Sequence, residues 1–432
     1  MRFPGKRKTK HYFPVSDRGP ESLHEEREEA HLYIVGIDQL LVDIEAEVDD
    51  AELAALGIPK GGSQVLDTEL VDRLYADLKA RDRIVGEYAG GSVGNTLHNY
   101  SVLADDLSYL IGSINRTISV GDYAFHYIRN TSSRVNLAHL QPVDGPMGRA
   151  FCFVTPDRER SFGISRGIMD ELQPETIPEE IIAGASALVL TAYLLRDPQA
   201  PIHAATKRAV AIANQHRVPV VLSLGTEWLV REQREALIEL LKGIELCVLA
   251  GNYGELCALT GQDDPLLASR AALDWVDMVL LTRDKHGLYL AGWTDPSYLR
   301  ETHDPILSKS IAEYNRYEYS RAMPRKSCVD PQPVFSHINP YHGGPSRIHN
   351  TNGAGDAALG AVLHDLVANA HHRQVAPNSP KHTSEFLTYS SIHQVCKYAN
   401  RVSYEVLRNH CPRLLHGLPE REDSLEEAYW VQ

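Results

Sequence analysis

The stretch Asn350-Thr351-Asn352-Gly353-Ala354-Gly355-Asp356 concentrates the residue types that phosphoryl transfer needs. Gly353, Ala354 and Gly355 let the backbone approach an anion closely, and the small-residue segment Ala357 to Leu366 reads as a helix starting directly behind them. Such a helix offers unpaired N–H groups and the positive end of its dipole to that anion. A phosphoryl group in transfer gathers negative charge on its oxygens, so the cradle stabilises it. Asp356, in the first helical turn, is placed to take a proton from an attacking hydroxyl. Two other readings fit the same letters. Asn352-Gly353 is a common turn dipeptide, and Gly353-x-Gly355-x-x-Ala358 formally fits a loose dinucleotide-binding pattern. The sequence has no Gly-x-x-x-x-Gly-Lys-Ser/Thr loop, so ATP has to be held by other means.

Positioning such a turn takes a scaffold. The apolar run Leu32 to Ile37 ends in Gly36-Ile37-Asp38, the pattern of a buried strand that delivers a polar residue at its C-terminal end. Further apolar runs at Ala187 to Leu190, Val218 to Leu224, Leu246 to Ala250 and Met278 to Leu281 are separated by the helix-compatible segments Pro201 to Gln215 and Glu232 to Leu241. This alternation predicts a parallel sheet covered by helices. From Ala291 to His349 the periodicity fails, which predicts an irregular insertion or a hairpin excursion. Ala357 to Ala370 and Glu385 to Leu407 have helical spacing. Residues 1–30, basic up to Pro14 and charged from Glu21 to Glu29, read as a solvated arm, and 416–432 as an acidic tail.

The chain has 432 residues with 43 Lys plus Arg against 57 Asp plus Glu, a formal net charge of −14, and 43% hydrophobic residues. That is an ordinary globular composition, and its acidic balance argues against nucleic acid as a partner, because phosphate-backbone binding needs a positive footprint. The longest apolar run, Ile181 to Leu195, is interrupted by Gly184, Ser186, Thr191 and Tyr193 and falls short of the ~20 residues that span a bilayer. It reads as core, and no membrane role is expected. The six cysteines form no Cys-x-x-Cys pair and the N-terminus lacks the apolar stretch of a signal peptide, so free thiols and a cytoplasmic location are expected. The histidines show no His-Glu-x-x-His spacing, and no structural metal is expected.

Taken together, the motifs resemble those of the ribokinase family of carbohydrate and nucleoside kinases. Thr351, Gly353, Ala354, Gly355 and Asp356 match its Asp-Thr-x-Gly-Ala-Gly-Asp signature, with Asn350 in the first position. The resemblance implies that Asp356 is the catalytic base and that Gly353, Ala354 and Gly355 form the anion hole. Gly90-Gly91-Ser92-Val93-Gly94-Asn95 matches the second signature, implying that Gly90, Gly91, Ser92 and Asn95 bind sugar hydroxyls. Asp43 matches the family's ribose-binding aspartate, and Asp38 is a second candidate. Asn252-Tyr253-Gly254-Glu255 fits the Asn-x-x-Glu motif, which implies a role for Asn252 near the phosphates and for Glu255 in holding magnesium through water; a helix capping box explains the same spacing. Thr282-Arg283-Asp284-Lys285-His286-Gly287 resembles the ATP loop Thr-x-Gly-x-x-Gly with Asp284 in place of the first glycine, implying altered backbone geometry there. Asn400 matches an asparagine on the helix beside adenine. The implied fold is an α/β three-layer sandwich, residues 31–415, with a mostly parallel central sheet and a small β lid within 45–166. ATP is the implied co-substrate, Mg2+ the cofactor and K+ an activator. Room is left for a homo-oligomer.

Phe3-Pro4-Gly5-Lys6-Arg7-Lys8, Gly343-Gly344-Pro345 and Leu418-Pro419-Glu420-Arg421-Glu422-Asp423 resemble a nucleoside-kinase branch of the family that acts on 6-oxopurines. This implies transfer of the ATP γ-phosphate to the 5′-hydroxyl of inosine and guanosine, giving IMP and GMP in purine salvage. The alternatives are a family kinase for adenosine or a sugar phosphate, and a non-catalytic nucleotide-binding regulator. Arg196 follows the apolar run to Leu195, at the sheet edge where ligands of open α/β folds bind. A guanidinium can donate to O6 and N7 of hypoxanthine or guanine, whereas adenine presents N6–H donors, so Arg196 is the candidate for base selection. Tyr123, Phe125 and Tyr127 offer either a stacking face or packing.

Overall fold

The computed structural model describes residues 32–418 apart from 105, 158, 303–313, 350 and 416. The expected arm, Asn350 and all of the acidic tail except 417 and 418 lie outside the described residues. The strands are β1 Tyr33–Ile37, β2 Leu41–Glu47, β3 Ser63–Val65, β4 Ile84–Ala89, β5 Leu107–Asn115, β6 Val135–Asn136, β7 Leu140–Val143 and β8 Gly148–Val154. They continue as β9 Arg160–Ser165, β10 Leu188–Thr191, β11 Val220–Ser223, β12 Cys247–Asn252, β13 Met278–Thr282, β14 Leu288–Thr294 and β15 Gln332–Ile338.

The large sheet runs β15-β14-β13-β12-β11-β10-β1-β5-β6, with β7 also paired to β5. From β13 through to β6 neighbouring strands are parallel, while β14 and β15 close one edge antiparallel. The runs LVLT in β10 and MVLL in β13 are buried throughout, as strands covered on both faces must be. Among the helices that cover them are α1 (Ser92–Ala104), α2 (Tyr253–Thr260), α3 (Ala354–Val375) and α4 (Ile392–Leu407). Buried residues run without a break from Ala357 to Asn369 in α3, as expected of a helix apolar on all sides and packed in the middle of the fold. A Cβ on Gly360 would lie 3.2 Å from the Tyr100 backbone nitrogen, so the glycine lets α3 press closely on α1.

The smaller sheet runs β3-β9-β8-β2-β4. Along β2 the residues Val42, Ile44 and Ala46 are buried while Asp43, Glu45 and Glu47 take the other face, the two-residue alternation of a strand with one core side. This sheet begins at Leu41, ahead of position 45, and so it carries Asp43. The architecture is a three-layer α/β sandwich with a small second sheet.

One helix boundary differs from the sequence expectation, and two alternatives left open there are narrowed. The segment 291–349 contains the end of β14 and all of β15, so it is a hairpin excursion that widens the sheet. Every residue of β14 is buried, as in β10, but Gly292 interrupts its apolar run and removes the signal that marked the parallel strands. The last helix begins at Ile392 rather than near Glu385, because Ser391 caps it through the Gln394 amide and the preceding Tyr389 and Ser390 amides donate to Asp365. Tyr127 is fully buried on a short helix, Tyr123–Arg129, so its ring is packing.

Candidate active site

The C-terminal end of β1 hands the chain to Asp38. Its amide donates to the Ile111 carbonyl (3.0 Å), fixing it at the sheet edge, and its carboxylate accepts from the amides of Gly94 (2.7 Å) and Gln39 (3.0 Å). Gly91 has φ +91°, and a Cβ there would lie 2.3 Å from Asp38 Oδ2. Both facts demand glycine. A Cβ on Gly90 would come within 2.7 Å of the Asp43 carboxyl, so the two-glycine turn is wedged between the two aspartates.

Gly353, at φ +79°, starts α3, and a Cβ on it would meet the Pro412 carbonyl at 2.2 Å. By contrast a Cβ on Gly355 would find nothing within 4 Å, so the N-terminal turn of α3 is open on that side. Asp356 lies next along that turn. Ser92 Oγ donates to its Oδ1 (2.6 Å) and Asn95 Nδ2 to its Oδ2 (3.2 Å), which joins two signatures more than 250 residues apart in one hydrogen-bonded group. Arg160, on β9, donates to Thr351 Oγ1 (2.7 Å) and Asn352 Oδ1 (3.4 Å), tying the small sheet to the same turn.

Burial pushes the Asp356 carboxyl up to about 6, and the Ser92 and Asn95 hydrogen bonds and the Arg413 charge hold it from going further. Burial also raises Asp38 and Asp43 to about 7, against the Gly94 amide for the first and Arg413 for the second, with the Asp356 charge adding to both. Three carboxyl groups thus crowd one site, Asp38 buried and Asp43 and Asp356 partly exposed, with the Arg413 guanidinium beside them.

At the end of β12, Asn252 and Glu255 form the capping box of α2. The Glu255 amide donates to Asn252 Oδ1 (2.9 Å), and the Asn252 amide and Nδ2 donate to the Glu255 carboxylate (2.9 and 2.7 Å). Burial lifts Glu255 to about 8, partly countered by the Asn252 amide and reinforced by Asp356. Only an ionised Glu255 would offer magnesium, held through water, the carboxylate oxygen it prefers, and no cluster of three metal-ligating side chains occurs among the described residues. Thr282 ends β13 in register with Asn252. In the loop that follows, the Arg283 amide donates to the Gly287 carbonyl (2.9 Å). Asp284 takes φ +41°, the left-handed region that aspartate tolerates better than most residues. The aspartate thus occupies a backbone region that glycine favours. Asn400 Nδ2 donates to the Asn339 carbonyl (2.6 Å), and a Cβ on Gly287 would strike the Ile338 carbonyl, so the loop, the exit of β15 and α4 come together.

No protein-family profile matches the chain. It is 54% identical over 433 residues to the guanosine-inosine kinase of Escherichia coli K12, covering 100% of both chains, and equally so to that of Escherichia coli O157:H7. The chain belongs to the guanosine-inosine kinases of the ribokinase family. Among solved structures, adenosine kinase from Sinorhizobium meliloti superposes with TM-score 0.66 at 20% identity over 89% of this chain and 96% of that one. A probable sugar kinase from Rhizobium etli gives 0.66 at 20% identity over 92% and 97%. These two establish the ribokinase fold.

Arg196 stands apart from the Asp356 group. It follows the short helical turn Ala192–Leu195 after β10, with its guanidinium 5.1 Å from the Tyr193 ring and its buried Nε without an acceptor among the described residues. Burial lowers its pKa, while the charges of Tyr193 and Asp170 act in the opposite sense. Asp170 in turn accepts from the Gln39 side chain, next to Asp38, so Arg196 lies on the Gln39 side of the site. Gln39, Asp170, Arg160 and Arg413 were not found by sequence reasoning. Gln39 had a signal, its place directly after a strand-end aspartate. The other three come from distant segments and carry no motif of their own.

Proposed function

We propose that this member of the family transfers the γ-phosphate of ATP to the 5′-hydroxyl of inosine and guanosine, giving IMP and GMP in purine salvage. The observation that carries this reading is the Asp356 carboxylate, held by Ser92 and Asn95 at the open N-terminal turn of α3. Asp38, Asp43 and the Gly90-Gly91 turn hold the ribose. Asp356 takes the 5′-hydroxyl proton, and the amides of Gly353 to Gly355 receive the charge of the transferring group. The Thr282 to Gly287 loop, Asn252 and Asn400 hold the nucleotide. Magnesium, carried on water near Glu255, would supply neutralising charge to the phosphates. Arg196, with an unsatisfied donor and a tyrosine face beneath it, reads O6 and N7 of the purine. A cytoplasmic location, activation by potassium and a homo-oligomer belong to the same proposal.

The test is phosphorylation from ATP on inosine, guanosine, adenosine and fructose 6-phosphate, with and without potassium. IMP and GMP should form far faster than AMP or a sugar bisphosphate, and potassium should raise the rate. Faster turnover of adenosine or the sugar phosphate would move the substrate assignment, and the absence of any ATP consumption would turn the protein into a nucleotide-binding regulator.

A further inference from the structure

Arg413 is a buried guanidinium, 2% exposed, at the place where the ribose-side turn and the Asp356 group meet. Its Nε donates to Asn95 Oδ1 (2.8 Å), Nη1 to Thr131 Oγ1 (2.9 Å) and the Asn130 carbonyl (3.3 Å), and Nη2 to the Gly90 carbonyl (3.4 Å). Its Cζ sits 5.2 Å from the centre of the buried Tyr127 ring. Guanidinium N–H groups only donate, so the Asn95 atom facing Arg413 has to be the amide oxygen. The amide nitrogen is then left for Asp356 Oδ2, and an ionised carboxylate only accepts. The orientation of one side-chain amide is thereby fixed from both ends. Turned over, the same amide would set its oxygen against the carboxylate and its N–H group against the guanidinium.

We propose that Arg413 is a positioning residue for the kinase reaction: it locks the Asn95 amide with its N–H group toward Asp356 and, through the Gly90 carbonyl, keeps the ribose-side turn in register with that base. The proposal rests on the reading of Asp356 as the base. The same fork carries charge into the site. The titratable groups around it are Asp38 at the end of β1, Asp43 on β2, His98 on α1, Tyr127 on the helix Tyr123–Arg129, Asp356 on α3 and Cys411 on its own segment. Glu255 on α2 and Tyr193 after β10 also feel the Asp356 charge. Removing Arg413 takes away both a positive charge and a fixed donor that favour ionised Asp356. The acid limb of the rate profile, where the base becomes protonated, therefore moves to higher pH.

The test compares Arg413→Gln, Arg413→Lys and the unaltered enzyme, with inosine and ATP as substrates, reading kcat, inosine KM and Tm across pH. Arg413→Gln should lose kcat on the order of 10²-fold, the scale of a misplaced catalytic group, with its acid limb displaced upward. Arg413→Lys keeps the charge without the fork, so its limb should stay near that of the unaltered enzyme while kcat recovers only in part. A folded Arg413→Gln with unaltered kcat and limb overturns the proposal. So does a loss of kcat that merely tracks the lost folded fraction while the limb stays in place. If Arg413→Gln does not fold, Asn95→Asp, which still accepts from Arg413 but cannot donate to Asp356, must show the same loss and upward limb, and an unchanged profile there is equally fatal. Asp356→Asn distinguishes the two layers. Retained kcat in that variant removes the base reading itself, whereas its loss together with unmoved limbs in the Arg413 and Asn95 variants removes only the positioning role.

Discussion

In the base role proposed for it, Asp356 balances two demands: it must be ionised to take a proton, yet burial disfavours its charge. Burial sets its pKa at about 6, and Ser92 and Asn95 supply the hydrogen bonds that keep it from rising further. The proposed base role requires the ionised form, so kcat should hold above about pH 6 and fall below it. Asp356→Asn should lower kcat by about 10²- to 10⁴-fold, the usual share of general base catalysis, with the inosine KM little changed; steady-state kinetics with a retained kcat would remove the base role. Arg196→Ala should reduce the preference for inosine over adenosine, measured as the ratio of kcat/KM, by about tenfold, within the ~1–3 kcal/mol that a bidentate contact to a base contributes. An unchanged ratio would take Arg196 out of base selection. At this scale the two stretches that meet at Asp356 were legible, because Gly353 to Asp356 and Gly90 to Asn95 are each written in adjacent letters. Arg413 was not, since its bond to Asn95 spans 318 positions and a lone arginine after Pro412 has no periodicity to betray its burial.

The N-terminal turn of α3 is the element on which the proposed chemistry depends, and its two glycines differ in their surroundings. Gly353 is held by backbone conformation and by the Pro412 carbonyl, whereas Gly355 meets no neighbour. Gly353→Ala should therefore lower both Tm and kcat, since a left-handed φ alone costs roughly 1–2 kcal/mol before the clash is counted. Gly355→Ala should leave Tm unchanged or raised, because alanine is the better helix former by about 1 kcal/mol. Its methyl group would nevertheless occupy the approach to the amides and raise the KM for ATP or depress kcat. Melting curves and ATP kinetics on the pair test this, and normal kinetics for Gly355→Ala would reduce the segment to a turn. The strands leading to this site were readable as apolar runs bounded by polar residues, β1, β10, β11, β12 and β13 among them. β14 and β15 were not, because Gly292 interrupts the apolar run of the first and Pro333, Ser336 and His337 that of the second. The start of α4 was missed for a related reason: Glu385 to Ser390 has helical spacing, but the amides of Tyr389 and Ser390 are claimed by Asp365.

The whole molecule carries a formal charge of −14 and has to accept anionic ATP, and the proposed site answers this locally with the amides of Gly353 to Gly355, with Arg160 and with Arg413. The cost falls on the ligand-free protein, which holds Asp38 and Asp43 at about 7 and Glu255 at about 8, chiefly through burial. In the unfolded chain such carboxyls ionise near pH 4. Between the two values the folded state binds more protons than the unfolded one, so the stability these groups contribute is complete below pH ~4 and drains away as pH rises through their folded values. Two buried histidines act the other way, since burial lowers His98 to about 4 and His364 to about 3, but above about pH 6.5 they are neutral in both states and drop out. The window in which the acids alone decide is therefore about pH 6.5 to 8, and there the Tm of the ligand-free protein should decline as pH rises. Asp38→Asn preserves an acceptor for the Gly94 amide while removing one titration, so its Tm should decline less steeply over the same window. Scanning calorimetry of both proteins at several pH values decides it: parallel slopes would mean that Asp38 is not held protonated by the fold, and a Tm that rises toward pH 8 would mean that the three acids are stabilised as anions before any substrate arrives.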